Sequence, residues 1–350
     1  MENTGNYFVD RNNQNTLKLR ELERQLPSFC TDYFIGVESR TTPLTRLNYA
    51  LDAKIFFEYL VNEVPEFMGR SVTSLTYADL NKVTAQTLER YLNYLNYYKH
   101  DGKTLVNNER AKARKLSAIR SMLKYFFKKE KIDANIADKI EMPKLHDKEI
   151  VRLEVDEVVK LINQAENPDL LTKNQQSFNK HTKVRDIAIL TLFLGTGIRI
   201  SELVGINTED IDFNINGFKI TRKGGNQVVL YFSDEVRKAL LDYIIEKQNN
   251  KKIPKDEKAM FLSLQNKRIG VRAVEKLVKK YSSVVTPLKK ITPHKLRSTY
   301  GTNLYRETQD IYIVADVLGH KDVNTTKKHY AAISEDARRS VANVVKLREE

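Results

Sequence analysis

Apolar residues recur at steps of three and four along most of the chain, and only one stretch, between residues 211 and 232, alternates with period two. That contrast restricts the fold to a mainly α architecture with a small antiparallel β-sheet. Thr42-Pro43 opens a helix with Leu47, Leu51, Ile55, Phe56, Tyr59 and Leu60 on its apolar side, running to about Val64. Thr84 caps a second, and a third spans about 108–131 with Leu116, Ile119, Leu123 and Phe126 or Phe127 as its stripe. Residues 1–15 are rich in Asn and read as a frayed start, with helix from Thr16. Pro143, within the polar run 141–148, stops a short helix and marks a linker. The expected division is an extension with a first helix (1–40), a helical domain (41–141), a linker (142–151) and a second domain (152–350).

In that second domain, Glu154–Ala165 and Ile187–Leu194 read as helices, the latter ending at Gly195 and Gly197. Segments 211–213, 218–221 and 228–232 read as strands, the last two joined by a turn-type loop at Lys223-Gly224-Gly225-Asn226. Helices come next at about 233–249, 270–282, 293–306, 311–318 and 322–330, with an amphipathic one from Ser334.

Charge narrows the partners. The 350 residues carry 59 Lys and Arg against 45 Asp and Glu, a net +14, which suits a polyanion. Between Lys103 and Lys131 there are ten basic residues and only Glu109 and Glu130 as acids. Arg110, Arg114, Lys124, Lys128 and Lys131 are spaced to share one side of the third helix. That side is either a solvated surface or a contact for the phosphate backbone, and the scarcity of acids favours the second. Cys30 is the only cysteine, so an internal disulfide and a cysteine-based zinc site are excluded. No H-E-x-x-H pair, P-loop or dinucleotide fingerprint occurs, and neither metal nor cofactor is expected. No run approaches the roughly 20 apolar residues of a membrane span, and a cytoplasmic protein is expected.

The second domain places cationic and imidazole groups at helix starts and turns: Arg199, Lys223, His294, Arg297 and His320, with Tyr330 beyond them. Two arginines suit a phosphodiester that gains negative charge under attack, because the guanidinium fork is planar, always charged and bidentate. Histidines add hydrogen bonds and move protons near neutrality. A hairpin lysine can protonate a leaving oxygen, and a phenol can serve as nucleophile.

The segment Gly195-Thr196-Gly197-Ile198-Arg199-Ile200-Ser201-Glu202-Leu203 resembles the first-arginine box of the tyrosine recombinases, the phage integrase family. Thr292-Pro293-His294-Lys295-Leu296-Arg297 resembles their H-x-x-R box, and Leu318-Gly319-His320 with Thr325, Thr326 and Tyr330 their closing box. Arg222-Lys223-Gly224-Gly225 and the helix Val274–Tyr281 point to the Xer branch that works as a single protein. The resemblance implies a helical core-binding domain followed by a mixed α+β catalytic domain. It also implies that Tyr330 attacks the scissile phosphate and that Arg199 and Arg297 clamp its oxygens. Lys223 would protonate the 5′-oxygen, with His294 and His320 as hydrogen-bonding groups and Glu202 as support for Arg199. Departures are Ser298 after Arg297, a ten-residue step from His320 to Tyr330 with His329 at the ninth position, and Ala331-Ala332 beyond.

The activity implied by the resemblance is that of a site-specific DNA recombinase acting on a double-stranded site as a homotetramer, through a Holliday junction, in chromosome-dimer resolution. Its C-terminal helix is expected to dock on a neighbouring protomer, and a DNA translocase or directionality factor is the expected accessory. The alternatives are the integrase or transposase of a mobile element, a strand-relaxing topoisomerase and a non-catalytic DNA-binding protein. Only about 40 residues precede the bundle, few for the extra N-terminal domain of arm-binding integrases.

Overall fold

The computed structural model describes residues 6–145, 151–222, 225–320, 322–324 and 326. The chain divides into two compact units, Met1–Lys148 and Glu149–Glu350. In the first, the Asn6 side chain accepts hydrogen bonds from the N–H groups of Phe8 (3.0 Å) and Val9 (3.3 Å), capping α1 (Tyr7–Glu23). Helix therefore replaces the frayed start expected for residues up to 15. Low helix propensity in the Asn-rich stretch is offset by that cap and by burial of Leu19 and Leu22.

The bundle continues with α2 (Phe29–Gly36), α3 (Pro43–Glu63), α4 (Tyr77–Lys82) and α5 (Ala85–Tyr94). Thr42 and Thr84 cap α3 and α5, each accepting from a backbone N–H three residues on. Strands β1 (Tyr98–His100) and β2 (Lys103–Leu105) form a hairpin that the apolar pattern did not announce. Its turn is Asp101-Gly102, both at positive φ (46° and 72°), the sequence type that two-residue hairpins prefer. Next comes α6 (Glu109–Lys128), after which Glu130 at φ 54° turns the chain away. The core is aromatic, with Phe29 edge-on to Phe126 (5.4 Å) and Phe56 edge-on to Tyr91 (5.2 Å). It takes in Leu26, Phe29, Cys30, Tyr33 and Phe34, so these residues belong to the bundle rather than precede it.

The second unit contains α7 (Val155–Glu166), α8 (Lys173–Asn179), α9 (Lys183–Thr196) and α10 (Ile200–Gly205). The sheet is next, with β3 (Ile211–Asp212), β4 (Gly217–Thr221) and β5 (Gln227–Tyr231) antiparallel in that order. Then come α11 (Asp234–Asn249), α12 (Val271–Val285), α13 (Pro293–Thr308) and α14 (Ile311–Leu318). The chain is thus mainly α with small antiparallel sheets. Helix α9 lies at the centre, apolar all round from Ile187 to Leu190, packed on α7, α11 and α13. Among the described residues no helix is long and apolar enough to cross a membrane.

One polar hub interrupts this apolar centre. Asp186 on α9 is fully buried and accepts from Arg185 Nη2 (2.8 Å), Lys280 Nζ (2.7 Å) and the Thr182 hydroxyl (3.0 Å). The Tyr281 hydroxyl lies 2.8 Å from Asp186 Oδ2 and 2.7 Å from Asn179 Oδ1, and burial holds its phenol well above the ordinary range. The hub ties α8, α9 and α12 together. Asp186→Ala should cost about 3–5 kcal/mol, because two cations lose their buried counter-charge. Urea unfolding measures it, and a loss below about 1 kcal/mol would show that the cations relax to water instead.

Candidate active site

Helix α9 stops at Gly197, in the left-handed region at φ 61°. A Cβ there would overlap the Tyr300 ring, so this stop needs glycine for space as well as conformation. The reversal sets Arg199 at the N-cap of α10. Its backbone N–H donates to Glu202 Oε2 (2.9 Å) and its Nη1 to Glu202 Oε1 (2.8 Å). Glu202 is buried, so this carboxylate aims the guanidinium and offsets part of its charge.

Pro293 begins α13 at a position where its missing N–H costs nothing, and Arg297 follows one turn later, buried. Its Nη1 donates to the Gly197 carbonyl and its Nη2 to the Leu318 carbonyl. The same Leu318 oxygen accepts from Arg199 Nη2 (3.1 Å), which also reaches Gly319 O (2.9 Å). Two guanidinium groups therefore meet on one carbonyl at the C-terminus of α14, the negative end of that helix. Like charges this close are stabilised by Glu202 and the helix end, and an anion would complete the balance.

Helix α14 ends at Gly319, also left-handed (φ 61°), and His320 donates its N–H back to Ala315 O (2.9 Å). Its ring Nδ1 is 2.7 Å from Oγ1 of the buried Thr326, which fixes the ring plane. His294 sits exposed on the first turn of α13, one turn before Arg297. The structure thus unites Arg199, Glu202 and Arg297 around the end of α14, and His320 continues the chain from there. Lys223 and Tyr330 lie outside the described residues, as does the expected helix from Ser334.

The phage integrase family model matches residues 151–336. A tyrosine recombinase XerC from Caldanaerobacter subterraneus subsp. tengcongensis is 33% identical over 325 residues, 91% of this chain and 86% of its own length. The chain belongs to the phage integrase family of tyrosine recombinases. A tyrosine recombinase XerS from Streptococcus thermophilus is 28% identical over 360 aligned residues, covering 93% of this chain and 98% of its own. In fold it is similar to a XerH site-specific recombinase bound to palindromic difH substrate, with a TM-score of 0.62 at 16% identity over 87% of this chain and 81% of that one.

Two contributors to this tyrosine recombinase's site were not singled out from sequence. Thr326 was visible only as part of the closing box. Arg222, quoted beside Lys223, turns out to reach α14: its Nη1 donates to Asp316 O (3.1 Å) and its Nη2 to Val317 O (2.7 Å). Burial lowers its pKa, with the Arg199 charge adding to the effect and Glu202 opposing it.

In the helical unit of the recombinase, Arg110, Arg114, Lys124 and Lys128 lie on one exposed side of α6. Lys131 does not: it follows the helix stop, with Nζ 5.9 Å from the Tyr77 ring centre. Arg114 is less free than its spacing suggested. Both its Nη atoms donate to Asp52, a buried carboxylate on α3 that also takes Lys115 Nζ (3.2 Å). Lys112 and Arg120 are likewise spent inside the unit, on Asn96 Oδ1 (3.0 Å) and Ala137 O (2.9 Å). Glu58, His100 and Asp101 bring possible metal ligands together, but Lys54 Nζ stands 3.7 Å and 3.5 Å from the two carboxylates, and the group reads as an ion-pair network.

Arg114→Ala should therefore act mainly on stability. Lys124→Ala with Lys128→Ala should lower the slope of log affinity for duplex DNA against log salt by about two, near 0.9 for each lost phosphate contact. Titrating binding across salt concentrations checks this, and an unchanged slope would mean that this side is only solvated.

Proposed function

We propose that this chain is a site-specific DNA recombinase of the Xer type, resolving chromosome dimers in the cytoplasm as a homotetramer on its double-stranded site. The observation that carries the reading is the meeting of Arg199 and Arg297 on the Leu318 carbonyl, one residue from Gly319 and two from His320. In the reaction, the Tyr330 oxygen attacks the scissile phosphorus and the P–O5′ bond breaks. The electron pair stays on O5′, which takes a proton from Lys223. His294 and His320 hydrogen-bond the phosphate and accept the phenolic proton. The two guanidinium groups hold the non-bridging oxygens as their charge rises. The 3′-phosphotyrosyl ester retains the energy of the broken bond, so a 5′-hydroxyl from the partner duplex can reverse the step without ATP and build a Holliday junction. The Xer branch is supported by relatives matched over nearly their full length.

The test begins with a random-sequence duplex pool enriched by binding to the protein, then nicked at successive positions so that the cleaved strand diffuses away. The expected result is a covalent adduct stable to denaturant, with the nucleotide on the tryptic peptide 329–338 and the linkage stable to acid. An acid-labile bond would instead identify His329, and an adduct absent at every nick position would remove the recombinase reading.

A further inference from the structure

We propose that Arg222 is a positioning residue for proton delivery to the leaving oxygen, fastening the end of β4, and with it the adjoining Lys223, to the C-terminus of α14. The inference rests on the recombinase reading and on the role given there to Lys223.

Arg222 follows the last residue of β4 and opens the turn to β5: its N–H donates to Asn226 O (2.8 Å) and its carbonyl accepts from Gly225 (3.0 Å). From there its side chain reaches α14. A helix leaves its last four carbonyls without partners. Here Val317 O is taken by Arg222, Asp316 O is shared by Arg222 and the Gly319 N–H, and Leu318 O and the following Gly319 O go to Arg199 and Arg297. Three arginines thus share four consecutive oxygens.

The contact is built closely. A Cβ on Gly319 would overlap the Arg222 guanidinium, so glycine at this helix stop is also what lets the arginine in. The Nε of Arg222 is buried with no hydrogen-bond partner among the described residues, a cost to stability that a merely solvated arginine would avoid. Both Nη atoms of Arg222 are committed to carbonyls of α14. The contact secures register. Lys223 is the next residue in the sequence, so the anchor at Arg222 is covalently adjacent to the proposed general acid.

The test exploits leaving-group chemistry. A 5′-thiolate departs without protonation, so a sulfur at the bridging 5′ position of the scissile phosphate removes the need for an acid. The probe is the enriched nicked duplex, made with oxygen or with sulfur at that position. Arg222→Ala should form the adduct about 10- to 100-fold more slowly than the parent on the oxygen duplex. On the sulfur duplex it should fall within about threefold of the parent, and duplex affinity should stay within about twofold. Lys223→Ala should show the same rescue, whereas Arg199→Ala should stay slow on both duplexes. Should Arg222→Ala melt early, Arg222→Lys keeps the charge and one donor. It should be slowed to a lesser degree on oxygen and normal on sulfur. A defect equally deep on sulfur, an affinity loss that tracks the rate, or a parental rate on oxygen would each overturn the assignment. A parent that forms no adduct on either duplex removes the recombinase reading itself, whereas a parental adduct with an unaffected Arg222→Ala removes only the role of Arg222.

Discussion

Tyr330→Phe should abolish the covalent adduct while leaving duplex affinity within about twofold of the parent. The substitution deletes one oxygen and keeps the ring, so contacts made by the rest of the molecule persist, and no ester can form without that oxygen. A labelled strand on a denaturing gel reads the adduct, and a native gel reads the affinity. Tyr300 is the internal control. Its ring lies against Gly197, beside the arginine cluster, and burial raises its phenol above the ordinary value, which makes it a poor nucleophile. Tyr300→Phe should still form the adduct. If instead the adduct survives Tyr330→Phe and disappears with Tyr300→Phe, the nucleophile has been misassigned.

Arg297→Ala should slow single-turnover cleavage by about 10²- to 10³-fold, the usual loss when one fixed donor to a developing anion is removed. A second loss accompanies it. The buried Gly197 carbonyl loses this donor, at about 1–3 kcal/mol for an unsatisfied group, while Leu318 O keeps Arg199, so the variant should also melt early. Arg297→Lys separates the two effects. A point charge can occupy the cavity and satisfy one carbonyl, yet it cannot bridge two acceptors and present a planar fork. Stability should be restored more fully than rate, with cleavage still about tenfold or more below the parent. A lysine variant as fast as the parent would show that charge alone matters at this position.

The bounds of α13 and α14 were legible because Pro293 and Gly319 are local signals, a missing N–H and a left-handed stop, that need no tertiary information. The recombinase boxes were legible for the same reason: each is a few residues whose chemistry and order are written contiguously. The β1–β2 hairpin was missed because three-residue strands are too short to show an alternation, although Asp101-Gly102 was there to be read. Charge density picked out α6, but density does not say which cations are committed. Arg114 and Lys115 answer to Asp52, more than sixty residues earlier, and that pairing exists only once α3 and α6 pack. The acceptors that gather the arginines were invisible for a deeper reason. They are backbone oxygens, present in every residue, and only the fold makes Leu318 O different from any other. The roles of Lys223 and Tyr330 rest on sequence and on the variants described above.

An eight-residue helix, α14, supplies the acceptors for Arg199, Arg222 and Arg297. The cationic pocket therefore behaves as one mechanical block. Tilting that helix by a fraction of a turn redirects all three side chains together, so its exposed apolar residues Tyr312 and Ile313 offer a handle remote from the chemistry. Anyone redesigning this enzyme for another target must leave the spindle in place and alter the rim, because all three arginines take their acceptors from its end.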